Sequence, residues 1–271
     1  MEQPKGILID LDGTLYHGSI RIEGADRLIG RLKKQGIPYL FVTNNSSRTP
    51  EQVANHLQQM GIPARPEEVC TSSLAAAHYI AGEAPGAAVA MIGEQGLRHA
   101  LESAGLILVE DDPQYVVQGI DRSFDYESLT RSMRWIQGGA KSVLTNPDLQ
   151  LPSDTGLTPG AGSIGAAIEA ASGVQPIVIG KPSSILMKFA TDRLGQSPEE
   201  TIVLGDNIRT DIAAGAHAGC RTVLVLTGVT TEHNMQTHIE AAGVSPDYVC
   251  RDLMEAADLL CGSSDDEPAG L

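Results

Sequence analysis

A short apolar run close to the start of the chain leads directly into two carboxylates and a glycine. Ile7–Ile9 precede Asp10, and Asp12 and Gly13 follow after one more leucine. An apolar run of this kind, in a chain that later alternates strand-like and helix-like segments, is typical of a buried strand in a parallel sheet. Asp10 and Asp12 then lie at the carboxyl end of that strand, where open α/β sheets bind ligands.

Two carboxylates at this spacing repel each other unless a cation or a shared proton separates them. Asp10 and Asp12 therefore indicate a metal site, and Gly13 lets the chain turn so that backbone N–H groups face an anion. The alternative is a strand followed by an ordinary Asp-Gly turn, and the rest of the chain has to decide between the two interpretations.

Strand-like and helix-like segments alternate along the chain, which predicts α/β architecture with a mostly parallel sheet. Strands are expected at residues 37–42, 201–204 and 222–226. Helices are expected at residues 24–34, from Thr49 onward and at residues 208–218.

The middle of the chain also alternates, but none of its strands ends in a pair of acidic residues. We predict a Rossmann-like parallel-sheet core formed by residues 1–81 and 177–261, interrupted by an inserted α/β cap domain over residues 82–176. Residues 262–271 are polar and acidic and are predicted to be a disordered tail. A single larger sheet is the alternative to the inserted domain.

Composition limits the partners of this chain. The 271 residues carry a formal net charge of −15 without a compensating basic run, which argues against nucleic acid or an anionic membrane as a partner. No segment is typical of a signal peptide or of a membrane-spanning helix. The four cysteines are widely and irregularly spaced, which predicts reduced thiols in a cytoplasmic protein.

Further polar groups follow three other strand ends or loops. Thr43 and Asn44 close the second strand, Lys181 stands in a Gly-Lys-Pro sequence, and Asp206 and Asp211 follow the strand at residues 201–204. Each of them alone has a structural explanation, as a helix cap, a solvated lysine or a first-turn acid. Together, at one edge of one sheet, they are the groups needed to handle a phosphate ester.

The expected chemistry follows from the charges. A Mg²⁺ ion held by oxygen ligands offsets the repulsion between an anionic phosphate and an anionic nucleophile. Asp10 and Asp206 would supply carboxylate oxygens, and Asp12 its backbone carbonyl. A carboxylate nucleophile divides hydrolysis into two steps through an aspartyl-phosphate. The neighbouring Asp12 can protonate the leaving oxygen and later activate water.

The other polar groups would bind the phosphate itself. The Thr43 hydroxyl and the Asn44 amide would donate hydrogen bonds to its oxygens. Lys181 would add positive charge where negative charge develops.

The motifs in this order resemble the haloacid dehalogenase superfamily of phosphohydrolases, in particular its NagD-like, p-nitrophenylphosphatase branch with a class II cap. The segments that carry the resemblance are DLDGTLYHG, TNNSS, the lysine of GKPS and GDNIRTDIAAG. The resemblance extends to about Leu260 and implies Asp10 as nucleophile and Asp12 as general acid/base. It further implies that Asp10, Asp12 and Asp206 bind Mg²⁺, supported by Asp211 and Asn207, and that the subunits form a homodimer.

The resemblance also implies which cap residues face the cleft. Asn146, Asp148 and Gly162 are the candidates for contacts with the leaving group, although ordinary hairpin and turn residues would fit the same pattern. Residues 160–165 match the dinucleotide fingerprint G-x-G-x-x-G. No clear strand is expected before them and no acidic ribose partner follows about twenty positions later, so we expect a tight turn at a helix N-terminus.

The chain is therefore expected to be a Mg²⁺-dependent phosphomonoesterase that cleaves small phosphorylated metabolites and p-nitrophenyl phosphate. A phosphotransferase with the same aspartyl-phosphate chemistry is the main alternative. A non-catalytic phosphate sensor would be expected to lack Asp12 or Lys181, and this chain has both. A receiver-type signalling domain would leave the middle hundred or so residues unexplained. Sugar phosphates, nucleotides, glycerol phosphates and pyridoxal phosphate all stay open as substrates.

Overall fold

The structure is a computed structural model that describes residues 4–153 and 156–262. Its strands, in chain order, are β1 (Gly6–Ile9), β2 (Tyr16–His17), β3 (Ile20–Arg21), β4 (Tyr39–Thr43), β5 (Val69–Thr71), β6 (Ala88–Ile92), β7 (Ile107–Leu108), β8 (Tyr115–Gln118), β9 (Lys141–Leu144), β10 (Gln150–Ser153), β11 (Gly156–Pro159), β12 (Ile177–Val178), β13 (Thr201–Gly205), β14 (Arg221–Val225) and β15 (Tyr248–Cys250). Its α-helices are α1 (Ala25–Gln35), α2 (Pro50–Gln59), α3 (Ser72–Glu83), α4 (Gln95–Ser103), α5 (Tyr126–Gln137), α6 (Ala161–Ser172), α7 (Ser184–Leu194), α8 (Ala213–Ala218), α9 (Met235–Ala242) and α10 (Leu253–Cys261).

The larger sheet has the strand order β15-β14-β13-β1-β4-β5. Strand β1 lies between β13 and β4 and is parallel to both, with Ile9 opposite Leu204 on one side and Phe41 on the other. Ile9, Leu204 and Phe41 are fully buried, which explains the apolar runs of the sequence. Since Asp10 follows β1 and Asp206 follows β13, the strand register brings these two residues to the same edge of the sheet.

The second sheet is parallel as well and has the strand order β12-β9-β8-β6-β7. Helices α5 and α6 pack on it, where Val116, Ile136 and Ile168 form part of a buried cluster. The sequence predicts strands at residues 87–92, 116–120 and 142–144 in the middle of the chain, and strands β6, β8 and β9 lie within one or two residues of them. The predicted fold class, α/β with parallel sheets, is confirmed.

The helix expected at residues 208–218 begins as a π-helical turn, Ile208–Ile212, and continues as α8. The first turn is widened around two side chains: Asn207 Oδ1 accepts a bond from the Arg209 N–H, and Asp211 Oδ2 accepts a bond of 3.1 Å from the Asn207 N–H. Irregular turns of this kind are frequent at functional sites.

The glycine-rich stretch at residues 160–165 opens helix α6, as predicted, with Gly160 as the residue before its first turn. The expectation that no strand precedes it is wrong, because β10 and β11 form a short antiparallel hairpin immediately before it. An antiparallel hairpin does not supply the parallel strand of a dinucleotide-binding β-α-β unit. The turn interpretation therefore holds in spite of the strand.

The chain divides into two compact units, Met1–Phe41 with Asn55–Ala64 and Thr191–Leu271, and Val42–Ala54 with Arg65–Ala190. The domain boundaries that the sequence suggests, after residues 81 and 176, stay predictions. The predicted disordered tail lies outside the described residues, apart from Gly262. Within the described part of the chain, no helix combines the length and apolar content that crossing a membrane requires.

Candidate active site

Three carboxylates converge in the first unit. One oxygen each of Asp10, Asp206 and Asp211 lies within 4.8 Å of the other two, and Asp206 and Asp211 are almost completely buried. Burial, followed by the negative charges of Asp211 and Asp10, raises the pKa of Asp206 to about 8. Three acids this close need a proton or a cation between them. Their oxygen donors fit a hard divalent cation, which prefers carboxylate oxygens.

A hydroxyl lies between two members of this triad. Thr14 Oγ1 is 3.1 Å from Asp10 Oδ2 and 3.1 Å from Asp206 Oδ1. Thr14 is fully buried, and its hydroxyl has one proton, so it can donate to only one of the two carboxylates at a time. It therefore lies within hydrogen-bond distance of both carboxylates and can orient one of them at a time.

Asp12 lies outside the carboxylate triad. Burial raises the pKa of the Asp12 carboxyl, with a smaller contribution from the charge of Asp10, while the Gly18 N–H and the nearby His17 and His56 act in the opposite direction. A carboxyl with a raised pKa keeps its proton to higher pH, which suits a proton donor. The contribution of Asp12 to metal binding stays a prediction.

In the second unit, Asn44 and Lys181 are joined by a pair of hydrogen bonds. The Lys181 N–H donates to Asn44 Oδ1 at 2.8 Å, and Asn44 Nδ2 donates to the Lys181 carbonyl at 3.0 Å. Lys181 is only 3% exposed, and its Nζ donates to the Val42 carbonyl at 3.3 Å. Thr43 Oγ1 accepts a bond from the Asn45 N–H, so its own proton can be donated to a ligand oxygen.

The three cap candidates belong to the same hydrogen-bond network. Asn146 Nδ2 donates to the Asn44 carbonyl at 2.8 Å, and Asp148 Oδ2 accepts a bond of 3.1 Å from Asn44 Nδ2. The Gly162 N–H donates to the Asp148 carbonyl at 3.0 Å. The structure thus joins Asn146 and Asp148 directly to Asn44, and their predicted contact with a leaving group stays a prediction.

Sequence reasoning missed the loop that follows β14, residues 227–230. The Val229 N–H donates to Asp206 Oδ2, the Thr230 N–H donates to the Asp206 carbonyl, and Thr227 Oγ1 donates to the Gly13 carbonyl. The loop contains no charged side chain, so its composition gave no signal. Its position after the end of a strand next to β13 in the parallel sheet could have indicated it.

Comparison with known proteins agrees with this fold and these motifs. Residues 7–107 match the family model of the haloacid dehalogenase-like hydrolases, and residues 178–256 match a second, HAD-hydrolase-like model. The chain is 48% identical over 240 residues to 5'-nucleotidase YutF of Bacillus subtilis (strain 168), an alignment that covers 89% of this chain and 94% of that protein. It is 45% identical over 257 residues to the acid sugar phosphatase of Staphylococcus aureus (strain USA300), covering 94% of this chain and 98% of that protein.

A solved structure is similar over almost the entire length. The p-nitrophenyl phosphatase from Archaeoglobus fulgidus has a TM-score of 0.90 and 37% sequence identity, over 95% of this chain and 100% of that chain. The chain belongs to the haloacid dehalogenase-like hydrolases. Within that family it belongs to the NagD-like phosphatase branch, so the branch predicted from the motifs is confirmed.

Proposed function

We propose that this chain hydrolyses small phosphorylated metabolites and p-nitrophenyl phosphate with Mg²⁺ and through an aspartyl-phosphate on Asp10. Its reaction class follows from its family: it is a phosphoric monoester hydrolase of the p-nitrophenylphosphatase type. The observation that carries the mechanism is the carboxylate triad of Asp10, Asp206 and Asp211, which combines a nucleophile with donors for a cation.

Asp10 attacks the phosphorus atom, and the ester bond to the leaving oxygen breaks as the new bond forms. When bound, Mg²⁺ supplies the positive charge that offsets the repulsion between the phosphate and the Asp10 carboxylate. Asp10 and Asp206 would hold it through carboxylate oxygens and Asp12 through its backbone carbonyl. Asp211 supports them by accepting the Asn207 N–H, which fixes the first turn after Asp206.

Asp12 acts as general acid in the first step and as general base in the second. In its protonated form, it donates the proton that the leaving oxygen needs. The resulting carboxylate then takes a proton from the water that attacks the aspartyl-phosphate, which releases phosphate and restores Asp10. The raised pKa of Asp12 favours the protonated form that the first step requires.

Thr43, Asn44 and Lys181 bind the phosphate oxygens. Thr43 donates its hydroxyl proton, and Lys181 supplies a buried positive charge. Asn44 would contribute through its main-chain N–H, because the two hydrogens of its side-chain amide are already donated to Lys181 and Asp148.

Steady-state assays with a panel of phosphate esters test this proposal. The panel includes p-nitrophenyl phosphate, a 5'-nucleotide and a sugar phosphate, the last two suggested by the names of the relatives. Hydrolysis predicts that phosphate release equals alcohol release at every concentration of an added acceptor alcohol such as glycerol. A phosphotransferase would instead release less phosphate than alcohol as the acceptor concentration rises.

We further infer a reducing compartment, the cytoplasm, and a homodimer. All four cysteines lie in the described part of the chain and are thiols, and burial raises the pKa values of Cys220 and Cys250 to about 11, which keeps them protonated and unreactive. The homodimer rests on the family alone. Thiol titration of the purified native protein and light scattering test the two points.

A further inference from the structure

The side-chain amide of Asn44 has both of its donors in use. Its Nδ2 atom carries two hydrogens, one donated to the Lys181 carbonyl at 3.0 Å and one to Asp148 Oδ2 at 3.1 Å. Its Oδ1 atom accepts the Lys181 N–H at 2.8 Å. A phosphate oxygen can only accept hydrogen bonds, so this side chain cannot bind one without releasing Lys181 or Asp148.

The orientation of this amide is fixed by chemistry. The Lys181 N–H can only donate, and an ionised Asp148 carboxylate can only accept, so the oxygen of Asn44 faces the former and the nitrogen faces the latter. A charged acceptor also makes a stronger hydrogen bond than a neutral one. Asp148 therefore selects and holds the amide orientation that ties Asn44 to Lys181.

The main chain of Asn44 is held equally firmly. Its carbonyl accepts bonds from Asn146 Nδ2 at 2.8 Å and from Ser72 Oγ at 2.7 Å, which occupies both lone pairs. The side-chain oxygen also lies close to Gly180, where an added Cβ atom would approach Asn44 Oδ1 to 2.5 Å, so a glycine at this position leaves space for the amide. Asn44 is thus held by hydrogen bonds to Lys181 on one side and to Asn146 and Asp148 on the other.

We infer that Asp148 is a positioning residue that acts through the Asn44 side chain on the phosphate-binding groups, rather than a contact of the leaving group. By holding the Asn44 amide, Asp148 fixes the main chain next to Thr43 and the backbone of Lys181. Misplacement of such groups by a fraction of an ångström weakens every interaction with the phosphate. The inference rests on the proposed function, because it assumes that Thr43 and Lys181 bind the phosphate.

Positioning and leaving-group contact predict different kinetic behaviour. A positioning residue affects the binding of the phosphate group, which all substrates share. Its loss therefore lowers kcat/KM by the same factor for every phosphate ester. It also weakens binding of inorganic phosphate, which has no leaving group. A leaving-group contact affects esters unequally and leaves phosphate binding unchanged.

The experiment compares wild type, Asp148→Ala and Asp148→Asn. For each, kcat/KM is measured with p-nitrophenyl phosphate and with a sugar phosphate, and binding of inorganic phosphate is measured by calorimetry, which needs no turnover. Asparagine keeps an acceptor oxygen for Asn44 Nδ2 and loses only the charge. Asp111→Ala removes an exposed carboxylate in the same unit and serves as the matched control.

We expect Asp148→Ala to lower kcat/KM about tenfold or more for both esters and to weaken phosphate binding by a similar factor. Asp148→Asn should retain most of the activity and phosphate affinity, and the control should match wild type. Unequal losses for the two esters with unchanged phosphate affinity would overturn the inference, as would wild-type kinetics in Asp148→Ala or a failure of Asp148→Asn to restore binding.

Separate control measurements test whether the variants fold and whether the wild-type protein has the proposed phosphatase activity. Unfolding midpoints are recorded for all variants. If Asp148→Ala does not fold, Asp148→Ser is the second truncation, because its hydroxyl oxygen is one bond closer to the main chain than the Asp148 carboxylate oxygens and carries no charge. A wild-type protein without activity on any ester would contradict the proposed function. Full wild-type activity with wild-type phosphate binding in the truncation that folds would contradict only the role of Asp148.

Discussion

The Val229 N–H donates a hydrogen bond of 2.6 Å to Asp206 Oδ2. A backbone donor from the loop after β14 therefore holds the most deeply buried carboxylate of the triad, opposite the Thr14 hydroxyl on its other oxygen. Bonds to the ionised form oppose the effect of burial on the pKa of Asp206. We therefore expect the position of this loop to influence how readily Asp206 ionises and binds the proposed cation.

The close packing of this loop gives a first prediction. A Cβ atom on Gly228 would collide with Asp206 Oδ2 and approach the Gly13 carbonyl to 2.7 Å. Gly228→Ala should therefore displace Asp206 and raise the half-saturating Mg²⁺ concentration about tenfold or more. Gly30→Ala, at a site in α1 where a Cβ meets no atom within 4 Å, is the control and should leave the Mg²⁺ titration unchanged. Equal half-saturating Mg²⁺ concentrations in the two variants would show that the loop does not affect the proposed metal site.

The triad predicts a specific defect for Asp206→Ala. Loss of one carboxylate donor should shift the Mg²⁺ dependence of p-nitrophenyl phosphate hydrolysis to concentrations at least about tenfold higher. In the presence of EDTA, this variant should be no less stable than wild type, because two crowded acids remain where there were three. A Mg²⁺ titration of p-nitrophenyl phosphate hydrolysis measures the first effect, and thermal unfolding in EDTA measures the second. An unchanged Mg²⁺ titration would exclude Asp206 as a ligand.

The raised pKa of Asp206 predicts how stability depends on pH. Between an unfolded value of 3.8 and a folded value of about 8, the folded chain holds a proton that the unfolded chain has lost. Without metal, this group's contribution to the free energy of unfolding must fall as pH rises through that window. Unfolding midpoints in EDTA should decline more steeply from pH 5 to pH 8 for wild type than for Asp206→Asn. Added Mg²⁺ should stabilise wild type more at pH 8 than at pH 5. If the unfolding midpoints of wild type and Asp206→Asn in EDTA changed in parallel with pH, the raised pKa of Asp206 would be contradicted.

If Asp12 is the general acid, as proposed, the loss of kcat in Asp12→Asn should depend on the leaving group. p-Nitrophenolate is a stable anion and needs little protonation, whereas the alkoxide of an alkyl phosphate needs a proton as the ester bond breaks. Asp12→Asn should therefore reduce kcat for glycerol phosphate by about tenfold more than for p-nitrophenyl phosphate. The ratio of the two kcat values is the measurement, and equal losses for both esters would argue that Asp12 does not donate the proton.

Much of this arrangement could be predicted from the sequence, because strand ends and carboxylates are local signals. Asp10 and Asp206 follow apolar runs, and the edge rule for parallel sheets places them together before any coordinates are known. The composition of the loop around Val229 gave no signal, since the loop acts through backbone groups that every residue carries, and only its position after a strand next to β13 points to it. The hydrogen bond between Asn44 and Asp148 was missed for a different reason. It joins side chains more than a hundred positions apart, and the periodicity of the sequence does not indicate such a contact.

The most direct test of the account compares wild type with Asp10→Asn in the hydrolysis of p-nitrophenyl phosphate, each with Mg²⁺ and with EDTA. The side-chain amide of asparagine is nearly isosteric with the carboxylate but is a poor nucleophile. We expect activity only in the Mg²⁺-loaded wild type, with kcat of Asp10→Asn lower on the order of 10⁴-fold or more. Substantial, metal-dependent turnover by Asp10→Asn would contradict the covalent mechanism.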